Sequence, residues 1–225
     1  MVHRAWPLLF ALACSSEGAE APPPPTVPSP FADAPFEPVK AYPPGPYGRG
    51  LGAVIENLSF LGWRDPVRSG YDPAALETVS LADFYDPTGT RTKLIVLNAS
   101  AVWCSVCRAE MQDMRLRETY ATYRAKGVEI VGTLFEDVEG GPAKPSDLEL
   151  WGAATAHSIA FPLLLDPGFK ASVYFTSDAT PLNMIIDATT MRIVFTMMGY
   201  DGSPASGLWS IVDRALAERG VPAGP

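Results

Sequence analysis

The sequence predicts an α/β domain built around a central mixed β-sheet, and three observations lead to this prediction. Between about residue 50 and residue 220, short apolar β-branched runs alternate with amphipathic stretches of helical period. The hydrophobic fraction of 47%, with 10% aromatic residues, is sufficient for a sizeable core. Many of the 23 prolines lie near the N-terminus, so the folded part is expected to be shorter than the 225-residue chain.

The first 13 residues have the pattern of an export signal, because His3 and Arg4 precede a short apolar run that ends in small residues. The stretch before Cys14 resembles a bacterial lipoprotein signal, in which Cys14 becomes the lipid-bearing N-terminus. Cleavage after a small-x-small motif, releasing a soluble protein, is the alternative. We therefore expect an export signal over 1–13 and a lipid-anchor candidate with a proline-rich linker over 14–49. The domain is expected over 50–220, with a tail over 221–225.

The first half of the domain is expected to contain short pieces followed by a strand, a helix and a strand. Residues 93–100 form a nearly continuous apolar run rich in β-branched residues, which is typical of a strand covered on both faces. Residues 105–126 have helical periodicity, and Gly127 ends the pattern. A second buried strand is expected over 128–135, and short strands or helical turns are expected over 57–63 and 78–85.

The second half is expected to add a helix, three strands and a last helix. Ser146 is a plausible N-cap for a helix that runs to about His157, because Ser146 and Glu149 have the spacing of a capping box. The remaining elements are strands over 162–165, 181–187 and 192–198 and a helix over 206–219. The order of these elements predicts an α/β sandwich with a mixed sheet.

Composition excludes several classes of function. The 25 acidic residues outnumber the 17 lysines and arginines, giving a net charge of −8, so a nucleic-acid partner is not expected. No window of 18 apolar residues predicts a spanning helix. Three cysteines are too few for a disulfide scaffold.

Two cysteines carry the chemistry. Cys104 and Cys107 lie three residues apart, directly between a predicted buried strand and a predicted helix. Unpaired N–H groups and the helix dipole favour a negative charge at a helix N-terminus, so Cys104 is expected to be the nucleophilic thiol. Cys107, one turn further on, would resolve a mixed disulfide formed at Cys104. The motif predicts thiol–disulfide exchange.

Three other interpretations of the cysteine pair remain open. A zinc site would need two more ligands, whereas the chain offers only His3 and an isolated His157. An inert structural disulfide in a binding module without enzymatic activity is the second alternative. A thiol peroxidase is the third alternative, although its usual Pro and Thr or Ser before the attacking cysteine are replaced by Leu97 and Ala101.

Several motifs together resemble the TlpA/ResA type of thioredoxin-like protein (redoxin domain), from about residue 55 to 218. They are the segments 79–84, 94–98, 103–111, 127–132 and 180–187. The resemblance implies a thioredoxin-like three-layer sandwich. It also implies that Pro181 is the cis-proline beside the redox pair and that Thr180 offers its backbone to an extended client segment.

The resemblance also suggests roles for residues around the pair. Glu136 would be the carboxylate that accepts the proton of Cys107, with Asp137 as the alternative, since a slip of one residue exchanges them. Trp103 would form part of the client surface or simply pack in the core.

By this resemblance the protein is expected to be an exported oxidoreductase that reduces disulfides in cysteine-containing clients, such as apocytochrome c. No metal or organic cofactor is expected besides the Cys104–Cys107 disulfide, and a membrane thiol donor would supply electrons. The expected location is the periplasmic face of a bacterial envelope, as a lipid-anchored monomer, or alternatively the soluble periplasm or the exterior.

Overall fold

The computed structural model describes residues 41–115, 117–153, 159–200, 202 and 207–222. The predicted export signal, the lipidation candidate Cys14 and His157 lie outside these residues. Within them, no helix is both long enough and apolar enough to cross a membrane.

The described residues contain seven strands, which form one mixed sheet in the order β2-β1-β5-β4-β3-β6-β7. The central strands β3, β4 and β5 run parallel, and the other pairings are antiparallel. The predicted mixed α/β sheet is thereby confirmed. The strand bounds are β1 Ser59–Trp63, β2 Glu77–Ser80, β3 Leu94–Ala101, β4 Val128–Glu136, β5 Leu163–Leu165, β6 Leu182–Asp187 and β7 Arg192–Met198.

The described helices are α1 Ser105–Arg115, α2 Arg117–Ala125, α3 Pro145–Ala153 and α4 Leu208–Ala217. The single helix predicted over 105–126 corresponds to α1 and α2, and Leu116 between them lies outside the described residues.

The N-cap predicted at Ser146 is wrong, because Ser146 lies inside α3. Pro145 takes the first helical position, where its missing N–H costs no hydrogen bond and its fixed φ suits the helix. The side chain of Asp147 accepts a hydrogen bond from the backbone N–H of Lys144 at 2.8 Å, so Lys144 is the N-cap residue and the helix begins two residues earlier than predicted.

Strand β3 positions the cysteine pair. All eight of its residues are buried, and it lies between β4 and β6 at the centre of the sheet. Close packing and pairing on every side fix the conformation of such a strand, so its C-terminal end at Ala101 is a rigid support. Cys104 follows three residues later, at the edge where polar and reactive groups collect in α/β sheets.

The N-terminal part of the described chain covers the outer edge of β7. Gly52 N–H donates to the carbonyl of Ile193 at 2.8 Å, and Ile55 N–H donates to the carbonyl of Met191 at 2.9 Å. Further towards the N-terminus, the hydroxyl of Tyr42 donates to the carbonyl of Ile55 at 2.9 Å. These bonds use backbone groups of an edge that would otherwise be open to pairing with another chain.

Gly62 provides a test of the β1–β5 pairing. A Cβ atom at this position would lie 2.6 Å from the Cα atom of Leu164, which is backbone and has no room to move. We expect Gly62→Ala to lower the free energy of unfolding by about 2 to 3 kcal/mol, measured by urea denaturation. Gly50→Ala is the matched control, because its Cβ would have no atom within 4 Å. Equal stability of the two variants would contradict this pairing.

Candidate active site

Cys104 occupies the position that caps helix α1. Helix α1 begins at Ser105, and the carbonyl of Cys104 accepts the hydrogen bond of Arg108 N–H at 3.2 Å, so Cys104 is the N-cap residue. Its Sγ atom accepts a hydrogen bond from the backbone N–H of Cys107 at 3.0 Å. A serine or aspartate cap makes this same bond with its side-chain oxygen. The sulfur therefore lies where the helix N-terminus stabilises a negative charge most strongly.

Cys107 lies one turn further into α1 and forms a disulfide with Cys104, their Cα atoms being 5.2 Å apart. The two sulfurs differ in accessibility, because Cys104 retains 4% exposure whereas Cys107 has none. In the dithiol form, a reagent or client approaching from solvent would therefore meet Cys104 first. This difference agrees with the predicted order of nucleophile and resolving thiol.

The Thr180–Pro181 segment lies against both sulfurs. The Thr180 carbonyl oxygen is 3.9 Å from Cys104 Sγ, and Thr180 Oγ1 is 3.7 Å from Cys107 Sγ. The peptide bond before Pro181 is cis, which confirms the geometry implied by the resemblance. Strand β6 begins at Leu182 and pairs with β3, so the central sheet itself brings residues 180 and 104 together.

Trp103 and Glu136 are joined by a side-chain hydrogen bond. The indole Nε1–H of Trp103 donates to Glu136 Oε2 at 2.7 Å. The backbone of Glu136, at the end of β4, also pairs with Ala101. Trp103 is 45% exposed, so the interpretation of this residue as a core tryptophan is wrong. The proton-acceptor role of Glu136 stays a prediction, because in this structure its carboxylate contacts Trp103.

Asp137, the alternative acid, organises the loop after β4. Its carboxylate accepts hydrogen bonds from the backbone N–H groups of Glu139 and Gly141 at 3.0 and 2.8 Å and from Lys144 Nζ at 3.0 Å. These bonds, above all the one from Lys144, lower the pKa of Asp137. An acid held in its ionised form by loop contacts is poorly suited to receive a proton from Cys107.

A buried carboxylate that the sequence analysis did not single out follows the pair on α1. Glu110 follows Cys107 by three residues on α1, and side chains with this spacing share one helix face. Its Oε2 accepts a hydrogen bond from Asn98 Nδ2 at 2.8 Å, and its Oε1 accepts one from Asn183 Nδ2 at 2.6 Å. The two asparagines face each other across β3 and β6 and are joined at 3.0 Å.

The protonation of Glu110 is unusual. The residue is 1% exposed, and burial raises its pKa from 4.5 to about 8. The hydrogen bonds from Asn183 and Asn98 oppose this rise, whereas the nearby charge of Asp113 adds to it. A carboxyl group with a pKa near neutrality exchanges protons readily, and such groups concentrate at functional sites.

The described residues contain no group of three or more His, Cys, Asp or Glu side chains placed to hold a metal ion.

The sequence model of the AhpC/TSA family matches residues 71–194, which is more than half of the chain and includes the cysteine pair and Pro181. The chain belongs to the AhpC/TSA family.

Two curated relatives of this AhpC/TSA protein are named thiol-disulfide oxidoreductase ResA. The one from Bacillus thuringiensis is 28% identical over 95 residues, covering 42% of this chain and 49% of the relative. The one from Oceanobacillus iheyensis is 40% identical over 62 residues, covering 28% of each. The chain thus matches about half of the length of the first relative and less of the second. These matches agree with the TlpA/ResA resemblance found in the sequence.

Solved structures confirm the thioredoxin-like fold of this AhpC/TSA protein. A DsbF homologue from Corynebacterium diphtheriae has a TM-score of 0.52 at 18% identity, covering 83% of this chain and 96% of that one. The exposed lipoprotein thioredoxin of Streptococcus pneumoniae has a TM-score of 0.50 at 18% identity, covering 72% and 99%. At these identities the likeness concerns the fold alone.

Two features of the sequence point to Glu110. Glu110 lies three residues after Cys107, and Asn98 is the first polar residue of the buried strand β3, in which only Ser100 is also polar. A lone polar residue inside a buried strand needs a hydrogen-bond partner. Its partners lie 12 and 85 residues away along the chain, so the tertiary structure was required to identify them.

Proposed function

We propose that this protein is a thiol–disulfide oxidoreductase that exchanges disulfides with cysteine-containing protein clients through Cys104 and Cys107. The observation that carries this proposal is the position of Cys104 as the N-cap of α1, where its sulfur accepts the N–H of its own partner cysteine. The adjacent Thr180–Pro181 segment supports the proposal, because its Thr180 carbonyl oxygen lies 3.9 Å from Cys104 Sγ, where the backbone of a client segment could pair with it. An inert structural disulfide would need neither feature.

The reaction proceeds in two exchanges starting from the dithiol. The Cys104 thiolate attacks one sulfur of the client disulfide, that bond breaks, and the other client sulfur leaves as a thiolate. The Cys107 thiolate then attacks Cys104 Sγ, releasing the second client thiolate and forming the Cys104–Cys107 disulfide. Two electrons pass from this protein to the client, and an external thiol donor must restore the dithiol.

Glu110 is the better candidate for the proton of Cys107. Both residues are buried and share one face of α1, whereas the carboxylate of Glu136 binds the indole of Trp103. Cys107 must lose its proton to attack, and this residue has no exposed surface at which bulk water could accept it. A neighbouring carboxyl with a raised pKa receives this proton in the second exchange and returns it when the dithiol is restored.

The setting of this reaction is part of the same proposal. The signal pattern over 1–13 and the lipidation motif at Cys14 support export and anchoring at the periplasmic face of a bacterial envelope. The resemblance of the sequence motifs to the TlpA/ResA type supports the reducing direction, with apocytochrome-like clients and a membrane thiol donor. Capture of clients by the Cys107→Ala variant in cells, followed by their identification, tests this setting.

The exchange itself is tested with a peptide whose single cysteine carries thionitrobenzoate. The protein is reduced with dithiothreitol, desalted and mixed with this peptide. We expect a fast release of thionitrobenzoate, from attack by Cys104, and then release of the peptide thiol, from attack by Cys107. Cys107→Ala should show only the first phase. Rapid consumption of hydroperoxide without reaction with the peptide would instead support the peroxidase alternative.

A further inference from the structure

The indole of Trp103 is both exposed and fixed. Nearly half of its surface is accessible, and Val106, between the two cysteines, is 43% exposed. Exposed large apolar side chains beside a reactive group are typical of a contact surface for a partner. Despite this exposure, the indole N–H is tied to Glu136 Oε2 at 2.7 Å.

Val102, the residue before Trp103, makes hydrogen bonds through both its backbone N–H and its carbonyl. Val102 N–H donates to the backbone carbonyl of Glu136 at 2.9 Å. The carbonyl of Val102 accepts a hydrogen bond from Arg108 Nη1 at 3.1 Å. Glu136 therefore holds two consecutive residues, one through its backbone and one through its side chain. The segment that leads into Cys104 has little freedom to change conformation.

We propose that Glu136 is a positioning residue that fixes the Trp103 indole as a rigid contact surface for apolar side chains flanking the client cysteine. This inference rests on the proposed function, and it assigns to that site a preference for an extended segment with apolar residues beside its disulfide. Glu136 acts through Trp103 and does not touch the reacting sulfurs.

The physical reason is the cost of ordering an exposed side chain when a partner binds. A free tryptophan samples several rotamers, and immobilising it on binding costs affinity, whereas a fixed indole has already lost that freedom. The hydrogen bond from the indole N–H to Glu136 Oε2, 2.7 Å long, fixes the orientation of the ring. Removing the bond should slow association with apolar clients and leave the sulfur chemistry in place.

The test measures thionitrobenzoate release from two peptides, one with leucine and one with glycine on each side of the labelled cysteine. All variants carry Cys107→Ala, so that only the attack by Cys104 occurs. We expect Glu136→Ala to lower the ratio of the leucine-peptide rate to the glycine-peptide rate about fivefold. Glu136→Gln should restore most of that ratio, because its amide oxygen still accepts the indole N–H.

Two further variants separate positioning from a general effect of charge. Glu139→Ala removes an exposed acid from the same loop and should leave the ratio unchanged. Trp103→Phe removes the N–H donor and should lower the ratio as Glu136→Ala does, and combining both changes should add little. In nitrogen-15 spectra, the Trp103 indole N–H, assigned by its loss in Trp103→Phe, should exchange with solvent faster in Glu136→Ala.

The two proposals fail in different ways. If Glu136→Ala slows both peptides equally, or if its effect persists undiminished in Trp103→Phe, the positioning role of Glu136 is overturned while disulfide exchange stands. If the protein with an intact Glu136 releases thionitrobenzoate from neither peptide faster than an unstructured thiol does, the proposed function itself is wrong.

Discussion

Replacing Cys104 by serine is expected to abolish both phases of the reaction with the labelled peptide, by about three orders of magnitude or more. A serine hydroxyl accepts the N–H of Cys107 as a normal N-cap, so the helix should remain intact. The hydroxyl cannot ionise at neutral pH or form a disulfide, and Cys107 has no exposed surface from which to replace it. Stopped-flow absorbance of released thionitrobenzoate measures the first phase, and release of the peptide thiol measures the second.

Cys107→Ser is the matched control, because it should keep the first phase and lose only the second. Retention of the first phase in Cys104→Ser would reverse the assignment of the two thiols. If the disulfide only stabilised the fold, either substitution would lower the free energy of unfolding by about 2 kcal/mol, as expected for a loop of this length. The unsubstituted protein would then show no disulfide exchange.

Glu110→Gln is expected to slow the second phase about 100-fold or more while affecting the first phase much less. Glutamine retains the volume and the hydrogen-bonding reach of the side chain but cannot receive the proton of Cys107. In the unsubstituted protein, the rate of the second phase should rise through an inflection near pH 8, because burial raises the pKa of Glu110 to about 8. Peptide-thiol release, measured across pH 6 to 10, should lose this inflection in Glu110→Gln.

The same substitution has a pH-dependent effect on stability. Below pH 4.5 Glu110 is protonated in both the folded and the unfolded chain, so its burial carries no ionic cost. As the pH rises from 4.5 to about 8, only the unfolded chain releases the proton. The free energy of unfolding therefore falls by about 3 to 5 kcal/mol over this range. Glu110→Gln removes this loss, so its stability relative to the unsubstituted protein should increase over that window.

Glu129 supplies the control for this experiment. It is also buried, and burial raises its pKa to about 7, against the effects of Arg124 and Tyr120. It lies on β4, away from the cysteines in sequence, so Glu129→Gln should change the pH dependence of unfolding without changing the second phase. A second phase that depends equally on both acids would show that Glu110 has no direct part in the proton transfer.

The local elements were largely predictable. The apolar run of β3, the helix that follows it and the two cysteines between them are adjacent in sequence, and their relation depends only on local periodicity and helix geometry. The Thr180–Pro181 segment was recognisable by its resemblance to known proteins rather than by chemistry.

The charged groups were less predictable. Glu136 and Asp137 are neighbours in sequence with the same functional group, and their partners, Trp103 and Lys144, are decided by where β4 ends and how its loop turns. Glu110 was not singled out as a site residue because a glutamate on a helix is usually solvated. Its burial depends on Asn98 and Asn183, which become its neighbours only when β3 and β6 pair.

By itself, the sequence determined that a cysteine pair lies at the start of a helix behind a buried strand, because short-range spacing is preserved whatever the rest of the chain does. Only the tertiary structure decided which nearby carboxylates are buried and which side chains hold each of them. Burial and hydrogen bonding over tens of residues set the charge of a side chain, and neither quantity is encoded in local spacing.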